Sequence, residues 1–467
     1  MTSFDLIIVG GGAAAFGAAI KANDLGAKAV MVNAGLPVGG TCVNVGCVPS
    51  KTLLWAGEVL HMANHHGVPG IELNVARFDF ASVVRDELAL VHRMREEKYR
   101  KVLQHLEHVI FIEGHAQFAS PTDVEINGRR LHAPKVMIAT GSTATIPPIA
   151  GLRDVGYVTH IEALAAQEKP EALVVIGAGA AGLEFGQMYA RFGTKVTILH
   201  RSGSIYRRSE ARLAHRLAEI LRAEGITVVT NAKVESATHD GNKKVVTYTT
   251  DDGTHQVVAD EILLAAGKTP NTAGLGLDVA GVDLDDTQAI RVQPFLQTSQ
   301  PYIFAAGDVT NLPKRLEMTA GREGTLAAEN ALTGTTKAID YNAVPYTVFT
   351  DPQLAGVGLT EDEQMERLGV CACRTVSFAD VPKAIIMRRT EGLIKMAIHP
   401  QSGEIMGVHI LAPHASELVA EAMTLIRNKN TIDDVLESLP MFPTLSESIK
   451  LVAMAFTRDI SKLSCCV

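Results

Sequence analysis

Leu173-Val174-Val175-Ile176-Gly177-Ala178-Gly179-Ala180-Ala181-Gly182 runs from an unbroken apolar stretch directly into a Gly-x-Gly-x-x-Gly string. The apolar run has the length of a strand buried on both faces. The glycines suit a tight turn into a helix whose amino terminus receives a pyrophosphate. A second strand is expected at Val196-Thr197-Ile198-Leu199. The same order occurs earlier in the chain. Phe4 to Val9 is apolar, Gly10-x-Gly12-x-x-Ala15 opens a helix, and Ala29 to Val32 reads as the next strand. Two such units predict an α/β chain with two dinucleotide sites, each on its own parallel sheet.

The residues closing the second strands differentiate the two sites. In the first unit the ribose partner, expected about 20 residues past the first glycine, falls at Asn33. A carboxylate is usual there, whereas Asn33 offers one carbonyl oxygen as acceptor. In the second unit His200 stands in that place, followed by Arg201, Arg207 and Arg208. Guanidinium groups suit a 2′-phosphate, so the second site is read as one for NADPH, its phosphate on Arg201 and Arg207.

The remainder of the 467 residues fits around these two units. A polar, helical stretch spans about Phe78 to His105, and strands lead up to Val136–Gly141. Pro147-Pro148 and Gly151 mark the boundary into the second nucleotide unit. The expected division is 1–150 and a return segment 271–340 for the first nucleotide domain, and 151–270 for the second. Residues 341–467 read as a separate α+β domain from strands at Thr347–Phe349, Leu393–Ile398 and Met406–Leu411. A net charge of -8 offers no basic footprint for nucleic acid. The apolar amino terminus carries Asp5 and is broken by Gly10-Gly11-Gly12, unlike a secretory signal. No apolar run is long enough to span a bilayer, and a cytoplasmic location is the expectation.

The six cysteines fall in three close pairs, Cys42/Cys47, Cys371/Cys373 and Cys465/Cys466. In a reducing compartment such pairs point to catalysis or metal binding. The first pair lies in Gly39-Gly40-Thr41-Cys42-Val43-Asn44-Val45-Gly46-Cys47-Val48-Pro49-Ser50-Lys51. Its spacing fits one helical turn with both sulfurs on one face. Gly39 and Gly40 allow close approach to a pyrophosphate, Thr41 is a further candidate for the same cofactor, and Lys51 favours negative charge on a thiolate and on a reduced flavin. Cys371 and Cys373 alternate along a strand, which suggests a structural pair. Ser464-Cys465-Cys466-Val467 presents two soft sulfurs at a chain end, suited to a soft two-coordinate cation such as Hg(II). Trp55 and the methionines read as packing.

Cys42 to Lys51 resembles the active-site signature of the pyridine nucleotide-disulfide oxidoreductases. Ala139-Thr140-Gly141 and Ala265–Asn271, with Gly267, resemble the family's two domain-crossing motifs. Ala305-Ala306-Gly307-Asp308 resembles its second FAD motif, and Val348–Pro352 the start of its dimer-interface domain. Glu184 matches the glutamate that pairs with the active-site lysine, here Lys51. The resemblance therefore implies FAD in the first site, with Asp308 on its ribityl chain, and a homodimer sharing its active sites between subunits.

Within the family, the disulfide-reducing members carry a His-Pro pair near the carboxyl terminus that supplies a base from the partner subunit. Here that stretch is Pro440-Met441-Phe442-Pro443-Thr444-Leu445-Ser446-Glu447, with Phe442 in place of the histidine. Loss of such a base should cost about 10²- to 10⁴-fold in dithiol exchange. The tail resembles that of the mercuric reductases, which implies a catalytic core reducing thiol-complexed Hg(II) to Hg(0). Cys465 and Cys466 of one subunit would pass the ion to Cys42 and Cys47 of the other. Cys47 would be the thiolate beside the flavin and Cys42 the exchanging sulfur. The alternatives are a disulfide reductase with a carboxy-terminal dithiol relay and a mercury-sequestering flavoprotein with little turnover.

Overall fold

The computed structural model describes residues 4–462 and 464. Strand β1 (Leu6–Val9) is buried at every position, helix α1 (Ala13–Asp24) follows the glycines, and β2 (Ala29–Asn33) pairs in parallel with β1. Helices α2 (Gly40–Val45) and α3 (Cys47–His65) carry the first cysteine pair, and α4 (Phe80–Arg95) packs on both. Strand β3 (Val109–Glu113) pairs with the outer side of β2. Lys135–Ile138 pairs with the other side of β1, and Ile303–Ala305 completes this parallel sheet. The chain thus returns to its first sheet after building a second one. That sheet runs Thr227–Val229, Lys195–Leu199, Ala172–Ile176, Glu261–Leu264, again all parallel.

The third sheet is antiparallel, in the order Tyr346–Val348, Gln353–Gly358, Ile405–Ala412, Leu393–Ile398, Ala372–Ser377. The mixed α/β architecture with a separate α+β unit is the one expected. No helix among the described residues is long and apolar enough to cross a membrane.

Two details differ from expectation. Cys42 and Cys47 do not share one helical turn: the backbone leaves the helical region at Gly46 (φ −135°, ψ −110°), so they belong to two helices. Trp55 is not packed within the described chain but 57% exposed on α3.

Glu87 on α4 is fully buried, and neither carboxylate oxygen has a hydrogen-bond partner among the described residues. Burial pushes its carboxyl up to about 7. A carboxyl whose folded pKa is raised holds its proton more tightly in the folded chain, so stability falls as pH climbs through that range. Glu87→Gln should therefore lose less Tm than the parent between about pH 5 and about pH 8, measured by thermal unfolding. Identical pH dependence in the two proteins would remove Glu87 as the cause.

Candidate active site

At the first glycine turn two backbones meet. Gly12 closes the turn before α1, and Gly40 opens α2 with φ +61°. A Cβ on Gly40 would stand 2.6 Å from the Gly12 Cα, so only glycine lets α2 lie against the turn. The gap between Gly12 and Gly40 is a cradle that a Cβ would fill, and a pyrophosphate fits it. Asn33, at the end of β2, spends its amide on the Leu36 carbonyl (2.9 Å). Its oxygen faces the glycine turn, as the direction of a Cβ on Gly11 toward it indicates.

Asn44, buried between the two cysteines, went unnoticed in the sequence. Its Nδ2 donates to the carbonyls of Pro37, Val38 and Gly40 at 2.8–3.1 Å, and its Oδ1 accepts from Arg95. One side chain therefore ties the loop before α2 to α2 and α4.

The two domain-crossing motifs bond to each other. Thr140 Oγ1 donates to the Asn271 carbonyl (2.7 Å), and Asn271 Nδ2 returns to the Thr140 carbonyl (2.9 Å). Gly141 and Gly267 both have positive φ beside these contacts. Ser142 donates to Asp308 Oδ2 at 2.8 Å. Glu323, also unmarked by any motif, is buried and accepts from the Gly307 amide at 2.7 Å, holding the turn that carries Asp308.

In the second unit a Cβ on Gly182 would stand 1.9 Å from the Gly177 carbonyl oxygen, whereas Gly179 faces open space. The helix Ala180–Arg191 thus sits tight on its strand and leaves room at its amino terminus for a phosphate. His200 Nδ1 accepts from the Ala178 amide (3.2 Å), fixing the end of the second strand against the glycine turn. Burial keeps its imidazole below the ordinary range. Arg201, Arg207 and Arg208 are exposed on the loop that follows.

The cysteines lie on α2 and at the start of α3. Both thiols are free. One ligand atom each from Cys42, Cys47 and Glu317 lie within 4.8 Å of one another. Glu317 opens the helix Glu317–Thr333 and belongs to the return segment, more than half the chain away, so no local spacing could have revealed it. The Cys42 S–H donates to Cys47 and holds that thiol below the ordinary range, against burial and Glu317 and with help from Lys51. The same hydrogen bond, burial, the Cys47 charge and Glu317 push Cys42 up. Tyr99 is close by, its phenol pushed up to about 12 by burial and by the charges of Glu317 and the cysteines.

Lys51, four residues past Cys47, meets Glu184 at 2.7 Å and lies over the Phe349 ring at 4.6 Å. Phe442 is 43% exposed on the loop before the helix Glu447–Met454, and Glu447 caps the Thr444 amide at 3.0 Å. Cys465 and Cys466 lie outside the described residues.

Residues 4–330 match the family model described as pyridine nucleotide-disulphide oxidoreductase, and residues 344–453 match its dimerisation domain. A mercuric reductase of Lysinibacillus sphaericus is 37% identical over 465 residues, 99% of this chain and 84% of that one. One from Streptomyces lividans is 39% identical over 471 residues, 100% of this chain and 98% of that one. Among solved structures, a Cu(II) complex of the HOCl-induced flavoprotein disulfide reductase RclA from Escherichia coli superposes with a TM-score of 0.87. It is 26% identical and covers 97% of this chain and 100% of that one.

The lowering of the Cys47 thiol by its neighbours is open to direct test. Cys42→Ala should raise the pH at which Cys47 is alkylated, followed on its own peptide by mass spectrometry, and Lys51→Ala should raise it too. An unmoved midpoint in Cys42→Ala would show that the neighbouring S–H does not govern Cys47.

Proposed function

The chain belongs to the pyridine nucleotide-disulphide oxidoreductases and is an NADPH-dependent FAD enzyme, and from that premise we propose that it reduces Hg(II) to Hg(0). The observation carrying this reading is the convergence of two sulfurs and one carboxylate, Cys42, Cys47 and Glu317, within 4.8 Å. Thiolates are soft donors and bind a soft, two-coordinate cation far better than oxygen ligands do. The relatives named mercuric reductase support the same substrate.

When bound, FAD and NADPH supply the electron pair that converts Hg(II) to Hg(0), NADPH leaving as NADP⁺ and a proton. The chain's own residues have five tasks. Gly177, Gly179 and Gly182 seat the nicotinamide dinucleotide, with Arg201 and Arg207 for its 2′-phosphate. Gly10, Gly12, Ala15, Asn33, Gly40, Thr41, Thr140, Gly141, Gly267 and Asp308 hold the flavin dinucleotide. Cys42 and Cys47 receive the metal as thiolates, Cys42 giving up its thiol proton to solvent on ligation. Lys51, fixed by Glu184, keeps positive charge beside Cys47. Cys465 and Cys466 of the partner subunit are the proposed entry ligands, exchanging the ion from external thiols onto the inner pair.

Reduction of the metal requires no proton at the metal, so a hydrocarbon side chain at Phe442 is compatible with it. Dithiol-disulfide exchange does require an acid and base, and Phe442 offers none. A second reading has its own support. Glu317 adds an oxygen donor to the sulfurs, which suits a borderline cation, and the neighbouring structure of RclA holds Cu(II).

Anaerobic NADPH oxidation separates these readings. With Hg(II) in excess low-molecular-weight thiol, turnover and release of volatile Hg(0) should be sustained. Glutathione disulfide should be turned over at least about 100-fold more slowly. Comparable disulfide turnover would overturn the metal reading, Cu(II) turnover above Hg(II) would select the second reading, and metal uptake without turnover would indicate sequestration.

A further inference from the structure

We propose that Cys371, Cys373 and Glu361 form a second thiol site, apart from Cys42 and Cys47, which holds one divalent cation of soft or borderline character when its cysteines are reduced. Cys371 and Cys373 are joined as a disulfide with their Cα atoms 6.1 Å apart. Cys373 lies on Ala372–Ser377, the edge strand of the third sheet, and Cys371 directly precedes it. A Glu361 carboxylate oxygen lies within 4.8 Å of both sulfurs. Once the S–S bond is broken, the two sulfurs and the oxygen supply three of the four donors of a tetrahedral site, with water for the fourth.

The carboxylate is held in place rather than placed by chance. Glu361 opens the helix Glu361–Leu368, and its amide donates to Glu210 Oε1 at 2.7 Å. Lys395 bonds Glu210 Oε2 at 2.7 Å and also Glu361 Oε2. Glu361 Oε1 has no hydrogen-bond partner among the described residues. With both thiols ionised, the two thiolates, Glu361, Glu210 and Asp362 outweigh Lys395, Arg212 and Arg374 around the same cleft, and the field favours a cation. Arg374 points its guanidinium at the Ala455 and Cys373 carbonyls and the Phe456 ring, not at the sulfurs. Cys373, Glu361, Glu210 and Lys395 line an open cleft of about 400 Å³, so an ion can enter from solvent.

Loading follows ordinary thiol chemistry. Two external monothiols reduce the disulfide: the Cys371–Cys373 S–S bond breaks, one S–S bond forms between the monothiols, and their two electrons and two protons pass to the cysteines. The cation then replaces both thiol protons, which leave to solvent. Oxidation of the pair removes both sulfur ligands. Because Glu210 belongs to the nicotinamide unit and Glu361 to the interface unit, an ion here would sit on the seam between them.

The test uses full-length, FAD-loaded protein in which Cys42, Cys47, Cys465 and Cys466 are replaced by serine, leaving Cys371 and Cys373. After reduction by a phosphine and its removal, Cd(II) should bind one per chain with thiolate-to-metal ultraviolet absorption. Adding Cys371→Ser or Cys373→Ser should abolish that absorption. Glu361→Gln should weaken binding at least about tenfold, the lower end of what loss of even an outer-shell partner costs. Bound flavin reports folding of each variant. In the unmutated holoenzyme, Cd(II) should protect the Cys371–Cys373 peptide from alkylation after reduction. No Cd(II) bound by the reduced protein, binding that survives Cys371→Ser, or affinity unchanged by Glu361→Gln would each overturn the assignment.

Discussion

Glu184 carries one buried carboxylate and uses both of its oxygens. Oε2 accepts from Lys51 on the cysteine helix at 2.7 Å, and Oε1 accepts from the Phe349 amide at 2.9 Å. Three units meet at that side chain: α3 of the first nucleotide domain, the glycine helix of the second, and the entry to the interface domain. A buried carboxylate without its cation is costly, so the pairing holds Lys51 where its charge reaches Cys47. Nearby, Arg191 meets Glu224 at 2.9 Å and Asp351 at 3.0 Å, and Arg389 also meets Asp351. The glycine helix is thereby fastened to the interface domain at a second point. The geometry around the cysteines depends on these joints, because Glu184 of the second unit fixes the lysine whose charge reaches Cys47.

Those groups define what chemistry the sulfurs can support. The interaction between the two thiols lowers Cys47 and raises Cys42, so the pair divides into a more acidic and a less acidic sulfur. Lys51 favours the anion and Glu317 opposes it. A cation arriving between the sulfurs reverses the conflict, since the carboxylate that repels a second thiolate also attracts the metal. Binding a metal therefore relieves a repulsion that binding a neutral disulfide would leave in place.

Local patterns were legible in the sequence, and long-range meetings were not. The two strand–glycine–helix units followed from glycines that act through backbone geometry, the choice of NADPH from the arginines after the second strand, and FAD and the Lys51–Glu184 pairing from the resemblance to the family. The cysteine spacing led to a wrong local picture, one helical turn, because the break at Gly46 depends on how α2 and α3 pack rather than on residue count. Glu317, Asn44 and Glu323 carried no signal: each is an ordinary polar residue given its role by a fold that joins distant segments. Cys371 and Cys373 were expected to share a strand face. The approach of Glu361 could not be anticipated, since it comes from a different element and is held by a lysine and a glutamate farther still.

The proposed reaction requires Cys42 and Cys47 to act together on one metal ion. The most direct measurement is an anaerobic titration of the NADPH-reduced holoenzyme with Hg(II), following the long-wavelength absorbance that a thiolate gives against oxidised flavin. That absorbance should disappear at one Hg(II) per active site in protein lacking the tail cysteines, as the metal takes the Cys47 thiolate. Persistence of the absorbance with Hg(II) in excess would mean that the ion does not reach this pair, and would contradict the account.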